Sequence, residues 1–223
     1  MIVPLPRAVL FDFDGVVADS ADIHHAAWEK AFAELFGRSL GRFPAEEMAG
    51  KSPVLIAAAL AGRGGRAELA DRLYDRKLEL LLAGPPPKLL SGVRSLMQLL
   101  HKQAIPFGIA SNAPGAFVRR SAELLKLPVA VVLGVDDFER PKPAPDPYWQ
   151  LAGALGVEEV DYPLTWVLED SPTGMRAAVA AGMFAIGIAD HRRADELLDL
   201  GARTTYVTPA GVAARLRASL LLE

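Results

Sequence analysis

Two carboxylates one residue apart, Asp12 and Asp14, are followed by Gly15 and close an apolar run that begins at Ala8. Unbroken hydrophobicity from Ala8 to Phe11 predicts a buried strand, so both acids leave its C-terminal end. Open α/β sheets place their ligands at that end. The pair alone decides little, because Asp is a common turn residue and Gly15 supplies positive φ. Three further segments end in residues capable of chemistry. The apolar stretch Phe107 to Ala110 delivers Ser111 and Asn112, and the loop from Arg140 to Asp146 holds Lys142 between prolines, ahead of a helix expected near Pro147. Trp166 to Leu168 reads as a strand that ends in Glu169 and Asp170, with Ser171-Pro172 starting the next helix. Each has an ordinary structural explanation: an N-cap for Ser111-Asn112, a solvated charge for Lys142, a turn for Glu169-Asp170. Together, four strand-to-loop junctions supply carboxylates, a hydroxyl and an ammonium, the set that suits a hard cation beside an anion such as phosphate.

The elements that must position these groups are uneven along the chain. After Asp19 the pattern is helical over residues 21–36, 54–60 and 67–82, with no strand between. Beyond Gly84-Pro85-Pro86-Pro87 helices and strands alternate: helices over 93–102, 117–125, 148–155, 173–181 and 212–222, strands over 106–110, 130–133, 165–168 and 184–188. Alternation of this kind implies a parallel sheet with helices on both faces. The expected architecture is therefore α/β, a Rossmann-like parallel-sheet core from residues 1–19 and 88–223 with an inserted all-α unit over 20–87. Trp28, Trp149 and Trp166 lie among apolar residues and are expected to pack.

Composition narrows the class. The 223 residues are 51% hydrophobic, enough for a substantial core, and contain no cysteine, which excludes disulfide and thiolate chemistry. A net charge of −3 gives no general attraction to nucleic acid, and the pairs Arg119-Arg120 and Arg192-Arg193 read as solvated faces. Apolar runs such as Leu78 to Ala83 are too short to span a bilayer. Met1 to Arg7 does not have the pattern of a secretory signal, so the cytoplasm is the expected location and no membrane partner is expected.

Taken in order, the Asp12-Phe13-Asp14-Gly15 start, Ser111, Lys142 in its proline loop and the Glu169-Asp170 pair resemble the four motifs of the haloacid dehalogenase superfamily, most of whose members transfer phosphoryl groups. The inserted helical block resembles the small four-helix cap that many members carry. By this resemblance Asp12 is the nucleophile that forms an aspartyl-phosphate, and Asp14 is the acid and base for the leaving oxygen and for water. Ser111 and Lys142 bind phosphate oxygens, and Lys142 also keeps Asp12 ionised. Mg2+ is implied as cofactor, held by Asp12, Asp170, a backbone carbonyl at Asp14, and Glu169 directly or through water. The resemblance is to the branch containing β-phosphoglucomutase, sugar-phosphate phosphatases and phosphoglycolate phosphatase. There a histidine placed like His24 faces the active site, whereas His25, His101 and His191 have no such support. Lys51, in Gly50-Lys51-Ser52-Pro53, and Asn112 are further candidates for contacting substrate, expected to be a small phosphorylated metabolite.

The expected function is a Mg2+-dependent phosphatase acting on a sugar phosphate or phosphoglycolate-like compound. A phosphomutase is the alternative, weakened because Pro53 stands where a mutase of this branch would carry arginine and Ala113-Pro114-Gly115 lacks polar side chains. A phosphoacceptor signalling domain would be shorter, would carry its acidic pair before the acceptor strand, and would not place a base beside the acyl phosphate. A dehalogenase does not require the acid and base that Asp14 supplies, and an inactive homologue would have lost a motif residue.

Overall fold

The computed structural model describes residues 4–41 and 51–221. Strand β1 (Ala8–Phe11) is buried along its whole length, as its unbroken hydrophobicity requires of a central parallel strand. It lies between β4 (Phe107–Ala110) and β6 (Thr165–Glu169), with β5 (Val131–Leu133) outside β4, and β7 (Phe184–Ile188) and β8 (Thr204–Tyr206) beyond β6. The sheet runs in the order β5-β4-β1-β6-β7-β8 and every pairing is parallel. Phe11 stands level with Ile109 and with Leu168, so Asp12, Ser111 and Glu169 leave the sheet at one edge. The chain reverses its direction of travel across the sheet at β1, which makes that edge the topological switch point.

Side chains alternate between the two faces, as the strand period demands. Val9, Phe11, Ile109, Trp166 and Leu168 meet α4 (Val93–Lys102) and α9 (Pro209–Leu220) on one face. Ala8, Leu10 and Val167 meet α6 (Asp146–Ala154) and α7 (Pro172–Ala180) on the other. Helix α5 (Gly115–Leu124) joins the first group through Phe117 and Val118, and α8 (Ala194–Asp199) joins the second through Leu197. A third cluster belongs to α1 (Ala21–Phe36), α2 (Pro53–Arg63) and α3 (Ala70–Ala83), built on Trp28, Phe32, Leu60 and Leu73. These three helices and a 3-10 turn over Ala67–Leu69 are the described part of the helical insertion; residues 42–50, Gly50 among them, lie outside the described residues. No helix of the described residues is long and apolar enough to cross a membrane.

Several elements differ from the sequence expectation. Strands β2 (Ala18–Asp19) and β3 (Lys88–Leu89) form an antiparallel pair that the sequence pattern does not announce, because two residues are too few to show a period. The short β8 and α8 are unexpected for the same reason. Helices α5, α6 and α9 each begin earlier than the apolar pattern does, at positions marked by Pro114, Pro145 and Pro209. Trp149 was expected to pack but is 41% exposed, held by its indole N–H on the Ala181 carbonyl at 3.3 Å. The arginine pairs are not merely solvated: Arg119 reaches Asp137 at 2.8 Å and Arg120 donates to the Gly84 carbonyl at 3.0 Å.

At the start of α4, Gly92 has φ +87° and an added Cβ would meet the backbone N and Cα of Ala210 in α9. Gly182 has φ +75° with open space around it. Gly182→Ala should therefore cost only the backbone strain, about 1 kcal/mol, and Gly92→Ala at least about 3 kcal/mol because backbone cannot yield as a side chain can. Urea unfolding of the two variants measures the difference; equal losses would mean that the α4–α9 contact does not restrict Gly92.

Candidate active site

Asp12 continues the β1 ladder by one bond, its N–H donating to the Leu168 carbonyl at 3.0 Å, and then carries its carboxylate out of the sheet. Gly15 turns the chain with φ +83°, and a Cβ there would collide with the Asp170 carboxylate, so glycine is required twice over. Lys142 Nζ lies 2.6 Å from Asp12 Oδ1 and 2.6 Å from Glu169 Oε1, and its side chain is 3% exposed. The loop that carries it is held from β4: Asn112 Oδ1 accepts from the Lys142 N–H at 3.1 Å, while Asn112 Nδ2 donates to the Lys142 carbonyl at 3.0 Å. Asn112, expected to contact substrate, thus has both ends of its amide engaged in positioning the lysine.

Asp14 receives three donors or polar neighbours. The Ser20 hydroxyl donates to its Oδ1, His24 Nε2 lies 3.2 Å from the same oxygen, and the Ser111 hydroxyl donates to Oδ2 at 3.2 Å. Burial alone would raise the Asp14 carboxyl, but His24, Ser20 and the Lys77 ammonium outweigh it and bring it to about 2. Asp14 is therefore ionised. The opposite holds next to it: burial pushes Asp12 well above its ordinary 3.8, Glu169 and Asp170 add to the rise, and Lys142 opposes it. Burial and Glu169 likewise raise Asp170 to about 7, against Arg193. Burial would discharge Lys142, yet Asp12 and Glu169 more than offset this and hold the ammonium above its ordinary value.

Asp12, Glu169 and Asp170 each present an oxygen, and these lie within 4.8 Å of one another. Burial and mutual repulsion hold Asp12 and Asp170 above the usual carboxylate range, a strain that a divalent cation set among the three would relieve. The donors are hard oxygens, and the cluster fits such a cation on both counts.

Above the cluster a cavity of about 540 Å³ extends to the helical insertion, lined from the sheet edge by Asp12, Asp14, Ser111, Lys142 and Asp170, from the helices by His24, His25, Trp28 and Lys77, and from the loop before α2 by Lys51. Every residue selected from the sequence lines this cavity or, in the case of Glu169, sits directly behind it. Sequence reasoning missed four others. Lys77 is 1% exposed, its Nζ 5.1 Å from the Trp28 ring centroid, and burial lowers it to about 8 while Asp14 opposes the fall. Its signal was available: Lys77 falls between Leu73 and Leu81 at four-residue spacing on the buried stripe of α3. Ser20 was not singled out, Tyr148 was seen only as part of the helix expected over 148–155, and Arg193 was read as a solvated charge, although it donates to the Asp170 carbonyl at 2.7 Å.

Residues 9–188 match the family model of haloacid dehalogenase-like hydrolases. The chain belongs to that family. It is 32% identical over 213 residues to a phosphoglycolate phosphatase of Rhodospirillum rubrum, covering 91% of this chain and 87% of the relative. It is 30% identical over 200 residues to β-phosphoglucomutase of Bacillus subtilis, covering 82% and 83%. The solved structure of CbbY from Rhodobacter sphaeroides in complex with phosphate shares the fold, with a TM-score of 0.78, 23% identity and coverage of 96% and 100%. The matched residues include Asp12, Asp14, Ser111, Lys142, Glu169 and Asp170.

The crowding of carboxylates carries a stability cost. An Asp raised in the fold contributes stability below its unfolded value and loses it as the pH rises through the folded value, so Asp170 weakens the metal-free protein progressively between 3.8 and about 7. Asp170→Asn in chelator should therefore melt roughly 2–6 °C above the unchanged protein at pH 8, with the gain fading as the pH falls towards 4. Differential scanning calorimetry across that range checks it; identical melting at pH 8 would refute the cost of burying this carboxylate beside Glu169.

Proposed function

We propose that the protein is a Mg2+-dependent phosphatase of small phosphomonoesters, with residues 20–87 acting as a cap over a core formed by 1–19 and 88–223. The observation that carries this reading is the pairing of Asp12, gripped by a buried ammonium, with an ionised Asp14 two residues further on and a cation-demanding acid cluster beside both. Asp12 and Asp170 would hold Mg2+ together with the Asp14 carbonyl, with Glu169 standing beside them. Bound there, the cation neutralises the charge that would otherwise repel a phosphate anion.

Asp12 is oriented by Lys142, which leaves its second oxygen to attack phosphorus in line and form an aspartyl-phosphate while the alkoxide leaves. Lys142 and Ser111 stand at the cavity wall to bind the phosphate oxygens. Asp14 as it stands is a base, suited to taking the proton of the water that hydrolyses the intermediate. Protonated by that water, Asp14 can return the proton to the leaving oxygen of the next substrate, so that it serves as base and acid in turn. His24 and Ser20 tie the state of Asp14 to the helix that caps the site.

The helical insertion adds Lys51 and Lys77, and among the described residues that line the cavity there is no arginine. Single ammonium charges suit a carboxylate or hydroxyl on a small substrate, whereas a second phosphate favours the bidentate grip of a guanidinium. This favours net hydrolysis of a phosphoglycolate-like or sugar phosphate over a mutase that must retain a bisphosphate.

A panel of small phosphomonoesters assayed with Mg2+ and with EDTA tests the reading. Phosphate release should require Mg2+, and Asp12→Asn should lower it by at least about a thousandfold with the fold intact. Isomerisation of β-glucose 1-phosphate outrunning phosphate release in the presence of a bisphosphate would instead establish the mutase. Lys77→Met should raise KM about tenfold with a smaller change in kcat, read from saturation curves on the best substrate; an unchanged KM would remove Lys77 from substrate recognition.

A further inference from the structure

Glu169 is fully buried, and its carboxylate is saturated by the protein. Oε1 accepts from Lys142 Nζ at 2.6 Å and from the Tyr148 hydroxyl at 2.5 Å. Oε2 accepts from the backbone N–H of Asp170 at 3.1 Å, the backbone N–H of Ser171 at 3.3 Å and the Ser171 hydroxyl at 3.1 Å. A carboxylate offers about four lone-pair sites. These five donors leave none for a cation. Its neighbours differ. Asp12 has one oxygen bonded to Lys142, and the Asp170 carboxylate has no hydrogen bond among the described residues, its ion-pair partner Arg193 standing 4.0 Å away. Glu169 also cannot turn aside, because it lies so close to α7 that a Cβ on Gly174 would fall on its carboxylate.

We propose that Tyr148 is a positioning residue that commits Glu169 to Lys142 and withholds it from the cation. Its hydroxyl occupies a lone pair of Oε1 that would otherwise be free to ligate. Glu169 then serves as the fixed counter-charge that holds Lys142 on Asp12, and the cation is left to Asp12, Asp170 and the Asp14 carbonyl. The Tyr148 ring contributes separately, since Lys142 Nζ lies 4.7 Å from its centroid. Tyr148 does not line the cavity, so it acts through these two side chains and not on substrate.

This inference rests on the phosphatase reading, and Tyr148→Phe tests it, because the ring and its contact with Lys142 remain while the hydroxyl is removed. With Oε1 released, Glu169 becomes available to the cation and Lys142 is held less firmly on Asp12. Titration calorimetry of Mg2+ into the substrate-free protein should show binding at least about threefold tighter than in the unchanged protein. On the best substrate of the panel, kcat should fall about tenfold and KM should stay within about twofold. Tighter metal binding with slower turnover is not what a loosened core would give, since general loosening weakens both. Mg2+ binding that is equal or weaker, or a kcat within twofold of the unchanged protein, overturns the proposal. The calorimetric arm needs no substrate, so a protein that hydrolysed no phosphomonoester would fail the function reading and leave this test standing.

Discussion

A buried ammonium held between two carboxylates is the interaction on which the site depends. Lys142 comes from a loop 130 residues beyond Asp12 and meets it at 2.6 Å in a place that water scarcely reaches. Charges in such a setting are tolerable only when paired and hydrogen-bonded. Each neighbouring feature meets that demand: Asn112 fixes the backbone of the lysine, Tyr148 and Ser171 complete the bonding of Glu169, and Arg193 braces the Asp170 peptide. The pairing still leaves Asp12 and Asp170 above the usual carboxylate range, and that strain makes the sheet edge attractive to a divalent cation.

The same closeness fixes the small residues around it. Gly15 and Gly174 pack against the carboxylates of Asp170 and Glu169 where any side chain would collide. They belong to the turn after β1 and the first turn of α7, so the two acidic segments interlock. The carboxylates stay crowded because the backbone on either side leaves them nowhere else to go.

The charged cluster was legible in the sequence because each of its members closes an apolar strand or sits between prolines, where residue type and position coincide. The sheet was legible for a similar reason, in that β1, β4 and β7 are apolar throughout and β6 is apolar over Trp166–Leu168, each flanked by helical patterns. What was not legible depended on contacts distant in sequence. Nothing near Tyr148 says that its hydroxyl meets Glu169, and nothing near Asn112 says that its amide will be occupied by Lys142. Lys77 is the exception. Its place on the apolar stripe of α3 was visible, and a lysine there must have a reason to be buried.

Strand order has a consequence for how the chain reaches its native state. β1 is made first but occupies the middle, and its partners are Phe107–Ala110 on one side and Thr165–Glu169 on the other. During synthesis this wholly apolar strand can close one edge once β4 has emerged but keeps the other open until β6 has followed. Pairings across such separations form slowly, and an open apolar edge is a template for association with other chains. The arrangement that brings four distant segments to one active edge therefore also sets the period in which the newborn chain is most exposed to aggregation, ending only when β6 docks.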